Sequence, residues 1–130
     1  MGFQAGNDSQ DARDDFWGYL DRLVEASVLV IDRPGGSSHP RFPDFVYPLD
    51  YGYLEGTQAV DGGGIDAWVG SLEPRRITGI VCSVDLLKRD AEINILLGCS
   101  ASEVETILNV SNRYGMRSAY IPRPQPGEPI

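Results

Sequence analysis

What this chain has least of is positive charge, cysteine and unbroken apolar sequence, and each shortage closes off a class of function. Lysine and arginine number 11 against 19 acidic residues, a formal charge of −8 over 130 residues. Binding to nucleic acid draws free energy from releasing counterions off phosphates, and an acidic chain lacks the cations for it. Cys82 and Cys99 are the two cysteines and His39 is the one histidine, too few and wrongly spaced for a zinc site. Both cysteines lie in apolar sequence and read as small buried hydrophobes, a disulfide being the less favoured reading. No window reaches the ~18 consecutive apolar residues of a membrane-spanning helix. The opening Met1-Gly-Phe-Gln-Ala-Gly-Asn-Asp8 has neither the basic start nor the apolar run of a signal peptide. The expectation is a cytoplasmic protein of one domain, residues 1–130, with no membrane and no nucleic-acid partner.

What is present is organised by hydrophobic period. Phe16, Tyr19, Leu20, Leu23 and Val24 recur at helical spacing, which predicts an amphipathic helix starting at Asp14 or Asp15, with residues 1–13 frayed before it. Ser27–Asp32, Ile65–Val69, Ile77–Val84 and Glu92–Leu97 are β-branched or alternating runs and read as strands. Phe42–Tyr47 reads as a further extended piece, broken by Pro43 and Pro48. Asp85–Asp90 is a hairpin connection. Ser102-Glu-Val-Glu105 has the form of a capping box and opens a second helix, ended by Gly115. The tail from residue 122 is polyproline-like and flexible. Two helices and about five strands give an α+β chain, mainly β. Closure into a small five-stranded barrel would leave no exposed edges.

The densest chemistry lies in Tyr47–Asp66, which mixes aromatic rings, glycines and carboxylates. Asp61 and Asp66 flank a Gly62-Gly-Gly64 turn, and Asp50 precedes it. Asp85 and Asp90 repeat the five-residue separation at the ends of the hairpin. If the barrel brings these connections to one mouth, four aspartates converge, with Asp32 at the end of the first strand nearby. Crowded carboxylates raise each other's pKa unless a hard cation lies between them, and an oxygen-only set suits Mg²⁺ or Mn²⁺. Asp and Gly are also the commonest turn formers, so Asp61–Asp66 taken alone reads more readily as a solvated loop than as a metal site. Tyr47, Tyr51 and Tyr53 read as one packing face, and His39, beside Pro40, as an exposed loop residue.

Tyr47-Pro-Leu-Asp-Tyr-Gly-Tyr-Leu-Glu-Gly-Thr57, followed by Asp61-Gly-Gly-Gly-Ile-Asp-Ala67, resembles the core of the family I soluble inorganic pyrophosphatases. Val30-Ile-Asp-Arg-Pro34 and Asp85 through Asp90-Ala91 resemble two further segments of that family, so the likeness spans about residues 28–97. It implies an OB-like five-stranded closed barrel with an N-terminal and a C-terminal helix. It also implies Mg²⁺-dependent hydrolysis of pyrophosphate, with a small phosphate-anhydride substrate arriving with its metal, in a homo-oligomer. Asp61, Asp66 and Asp90 would hold the metal, with Asp85 beside them and Asp32 behind; Asp61, Asp66 and Tyr51 would be the catalytic groups. The chain departs from the family pattern at defined places. The middle aspartate of the metal signature, which helps activate water, is Gly63, and a lysine after the third metal aspartate is Glu92. The segment between Pro34 and Tyr47 is short and omits a phosphate-binding hairpin, leaving Arg33 and Arg41 as the nearest substitutes. A Tyr-Lys pair after the last helix is Tyr114-Gly115, with Arg113 and Arg117 adjacent; Arg41, Arg113, Tyr114 and Arg117 are the expected phosphate contacts. A metal- or phosphate-binding relative without activity is the rival reading.

Overall fold

The computed structural model describes residues 5–125, the first ten as backbone only. Two helices and six strands follow in the order α1 (Ala5–Glu25), β1 (Val28–Arg33), β2 (Asp50–Glu55), β3 (Ile65–Val69), β4 (Ile77–Asp85), β5 (Asp90–Leu97), α2 (Ala101–Ser111) and β6 (Met116–Pro122). The strands form one sheet in the order β1-β2-β3-β5-β4-β6. All neighbours are antiparallel except β3 and β5, which run parallel over Ala67↔Ile95 to Val69↔Leu97.

This corrects the expected five-stranded closed barrel. The edge strands β1 and β6 do not pair, so the sheet is open, and its two faces are covered by helices instead. On one face Trp17, Leu20 and Val24 of α1 pack on Leu54, Ala67, Val69, Ile80, Ile95 and Leu97. On the other, Val104 and Ile107 of α2 pack on Trp68, Val81 and Leu96 beside Tyr47 and Tyr51. Both cysteines are free, one against each core.

Several boundaries also differ from expectation. α1 begins at Ala5, so Asp14 and Asp15 lie inside it, and residues 5–13 are helical. The polar stretch ahead of Asp14 gives no apolar period by which to see this. Within α1 the buried stripe runs through Trp17, Leu20 and Val24, while Phe16, Tyr19 and Leu23 are exposed. α2 is capped two residues earlier than read: the Ser100 hydroxyl accepts from Glu103 N–H, and Glu103 accepts from Ser100 N–H. After it the left-handed backbone is taken by Tyr114, at φ 57°, and Gly115 instead lets the chain pass against Leu87. Phe42–Tyr47 is no strand, contributing one isolated bridge, Ser38↔Val46. The readings for residues 1–4 and 126–130 lie outside the described residues. No described helix is long and apolar enough to cross a membrane.

The tail is anchored through Arg123, whose guanidinium donates twice to Asp21 of α1 at 2.7 Å and lies 5.9 Å from the Trp17 ring. This joins α1 to the end of β6. Asp21→Asn is expected to cost about 1 kcal/mol, the pair being partly exposed. Arg123→Ala should cost more, because it also uncovers Trp17; thermal unfolding of both variants checks the order.

Candidate functional site

The acidic residues are positioned by the middle of the sheet. A bulge between Ile31 and Arg33 leaves Asp32 outside the β1–β2 register, the irregularity by which an edge strand re-aims a side chain. Gly52, opposite Ile31, is the reason the two strands can close there, since a Cβ would overlap the Val30 carbonyl. β2 then sets Tyr51 against Trp68 and Tyr53 against Asp66 on β3. Asp90, Glu92 and Asn94 alternate along β5 and share one face of it.

At the centre, the Tyr51 hydroxyl donates to Asp66 Oδ2 at 2.7 Å, and Asn94 Nδ2 donates to the Tyr51 hydroxyl at 3.4 Å. Tyr51 spends its proton on Asp66, so its oxygen must accept from Asn94, which fixes the orientation of that amide. Asn94 is 7% exposed and its Oδ1 has no donor. A buried carbonyl left so costs about 1–3 kcal/mol.

Burial, then repulsion from Asp61 and Asp32, raises the Asp66 carboxyl above its usual range, against the Tyr51 hydrogen bond and the charge of Lys88. Glu92 is also raised. It keeps surface in solvent, but the protein crowded around its carboxyl, then Asp66, Asp90 and Asp61, disfavour its charge. Tyr51 is pushed far up by burial and by Asp66. Asp61 and Asp32 thus act on Asp66, and Asp66, Asp90 and Asp61 on Glu92, with Lys88 opposing both and Arg33 paired with Asp32 at 3.9 Å.

The other expected residues make local contacts of their own, although Asp85 lies opposite Asp90 on the β4–β5 ladder and Arg117 lines one cleft with Asp61, Asp66, Asp90 and Glu92. Asp85 Oδ1 accepts from Leu87 and Lys88 N–H and closes the β4–β5 hairpin. Asp50 Oδ1 accepts from Gly35 N–H. Arg117 folds back onto the Tyr114 and Met116 carbonyls. Tyr114 stacks on Phe42, ring centres 5.6 Å apart, and Arg113 is exposed. Arg41 stands with Arg33 and Lys88 around His39. Sequence reading passed over Asn94 and Lys88 as parts of a site: an amide in an apolar strand and a lysine in a hairpin carry no signal of their own.

His39 is not a plain exposed loop residue. Its Nδ1 accepts from Arg41 and Phe42 N–H at 3.0 and 3.3 Å, and its ring lies among Phe42, Phe45 and Tyr47. Burial, then Arg33, Lys88 and Arg41, holds its pKa below the ordinary 6.5. The folded state therefore binds fewer protons than the unfolded one. The stability His39 contributes is complete above about pH 6.5 and is lost as pH falls below it. Asp66 and Glu92 work in the opposite sense at lower pH, since protonation relieves their repulsion. Denaturation midpoints from pH 7.5 to 5.5 should decline in the native protein and stay flatter in His39→Asn.

Beside the acids, a cleft of 930 Å³ opens between Phe16 and Leu20 of α1 and Val84 and Ile93 of the sheet, with Asp61 and Asp66 among its lining residues.

Comparison with solved structures gives this arrangement a context. An inorganic pyrophosphatase from Neisseria gonorrhoeae matches with a TM-score of 0.58 and 18% identity, over 75% of this chain and 81% of that one. An inorganic pyrophosphatase from Coxiella burnetii gives 0.55 and 17%, over 75% and 84%. An inorganic phosphatase from Anaplasma phagocytophilum gives 0.51 and 16%, over 72% and 81%. The fold resembles that of inorganic pyrophosphatases. No protein-family model and no curated protein matches the chain.

A divalent ion can be tested against the donors present. Among the described residues no three His, Cys, Asp or Glu side chains converge closely enough to hold a metal by themselves. The donor chemistry fits a hard cation nonetheless: carboxylates that repel one another surround Asp66, and the amide oxygen of Asn94 lacks a donor.

Proposed function

We propose that this chain hydrolyses inorganic pyrophosphate, or a related small phosphoanhydride, with Mg²⁺ or Mn²⁺ held by Asp61, Asp66 and Asp90 and with Asp32 behind them. The observation that carries this reading is the Tyr51–Asp66 hydrogen bond, with Asp61 and Asp32 raising the Asp66 carboxyl against the charge of Lys88, on a pyrophosphatase-like fold. Asp85 is left out of the ligand set, because its carboxylate closes a turn.

A divalent cation supplies neutralisation of phosphoryl charge and an acidified water. The remaining work falls to side chains. Tyr51 fixes the Asp66 carboxylate in one orientation. Lys88, whose charge acts on Asp66 and Glu92, and Arg33, beside Asp32, would meet phosphoryl oxygens, with Arg41 next along. A water oxygen adds to one phosphorus, the bridging P–O bond breaks, and the departing orthophosphate takes up the proton. The exposed Leu86 and Leu87, at 76% and 77%, supply apolar surface for the homo-oligomer we propose with it.

One observation favours a second reading, a binding module without turnover: among the described residues no three acids converge to hold a metal, and position 63, where the signature places an aspartate, offers no proton acceptor. Phosphate release from pyrophosphate with Mg²⁺, and with the metal chelated, separates the two. The enzyme reading expects release that stops on chelation and is absent with a phosphate monoester. Equal release with and without the metal would overturn it.

A further inference from the structure

The group described above contains two oxygen-bearing side chains, Glu92 and Asn94, that the resemblance does not supply. Glu92 lies two residues beyond Asp90 and Asn94 two beyond Glu92, so β5 presents three oxygen-bearing side chains on one face. Glu92 lines one cleft with Asp61, Asp66 and Asp90, and their charges act on its carboxyl. Asn94 faces the Tyr51–Asp66 pair through its amide nitrogen, and its oxygen is buried with no donor. Turning the amide over does not help. It would set Oδ1 against the Tyr51 oxygen, whose proton already lies on Asp66. Carboxylates together with an amide carbonyl are the ligand types that hard divalent cations take.

We propose that the Glu92 carboxylate and Asn94 Oδ1 join Asp66 as ligands of a divalent cation, so that β5 provides the negative charge the Asp61–Asp66 turn lacks at Gly63. This deepens the functional reading above and rests on it, since it names residues of the same site. It also accounts for an acid and a buried amide alternating along the strand that begins at Asp90.

The test uses Mn²⁺ alone, without substrate, added to the full chain. Free Mn²⁺ is read by electron paramagnetic resonance, and the melting temperature is recorded with and without the ion. The wild type is expected to bind and to melt higher with Mn²⁺. Glu92→Gln and Asn94→Leu should each weaken binding about tenfold or more and shrink the melting shift, while Asn94→Asp, which keeps an oxygen, retains both. If Asn94→Leu does not fold, Glu92→Gln and Asn94→Asp decide, Glu92 being at the surface. A merely structural Asn94 would lower the melting temperature equally with and without the ion. Wild-type affinity in Glu92→Gln, with loss in Asp66→Asn, would overturn the proposal and leave the pyrophosphatase reading standing. No Mn²⁺ binding by the wild type would remove both.

Discussion

Gly52→Ala is expected to destabilise the protein by ~3 kcal/mol or more, a large part of what a domain of this size possesses. A methyl group at this position would overlap the Val30 carbonyl oxygen and would stand 2.8 and 2.9 Å from the Val30 carbonyl carbon and the Ile31 Cα. All three are backbone atoms, so no side-chain rotation gives relief and β1 must move away from β2. Strand β1 is an edge strand whose one strand partner is β2, and its bulge sets Asp32 outside the register. Loss of the contact should therefore lower the melting temperature by roughly 10 °C or more and weaken any activity of the folded fraction. Thermal unfolding followed by circular dichroism reads the first effect. Gly63→Ala, whose Cβ meets nothing closer than Asp61 Oδ1 at 3.5 Å, is the control that should melt like the wild type.

The second large effect runs in the direction of gain. Gly63 is exposed, its backbone is not in the left-handed region, and there is room for a side chain. Gly63→Asp would add a carboxylate next to Asp61 while leaving the Gly63 N–H to Asp61 hydrogen bond in place, since that bond uses backbone. The pyrophosphatase signature has an aspartate there to help activate water. General-base assistance contributes on the order of 10²-fold. Mg²⁺-dependent phosphate release by Gly63→Asp should rise by about that factor, with no change in melting temperature. An unchanged rate would mean that Glu92 already fills the role or that the site does not turn over.

How much of this was legible in the sequence depends on which residues carried a period. Ile65–Val69, Ile77–Val84 and Glu92–Leu97 announced themselves as strands because β-branched residues repeat along them, and β3, β4 and β5 lie there. Asp50–Glu55 did not, because Tyr-Gly-Tyr reads as a polar, aromatic stretch; the missing side chain of Gly52 is what admits it as a strand. Met116–Pro122 was hidden between a helix end and a proline-rich tail, although its alternation of half-buried and exposed residues is plain in the fold. Barrel closure was inferred from the need to hide strand edges, and helices on both faces bury the apolar surface without it. In the site, Asp61 and Asp66 were visible from their spacing across glycines, and Asp90 from its likeness to a known segment. The place of Asn94 was not visible, because only the register of β5 beside β3 and the direction of the Tyr51 proton reveal an amide oxygen without a donor.

The central claim is that the acids around Asp66 carry out metal-dependent hydrolysis of a phosphoanhydride. Its most direct test is orthophosphate release from pyrophosphate in Mg²⁺, measured side by side for the wild type and for the double variant Asp61→Ala, Asp66→Ala. The claim predicts release by the wild type and a fall of about 10²-fold or more in the double variant, with both proteins folded by circular dichroism. Equal, slow release by the two folded proteins would contradict it.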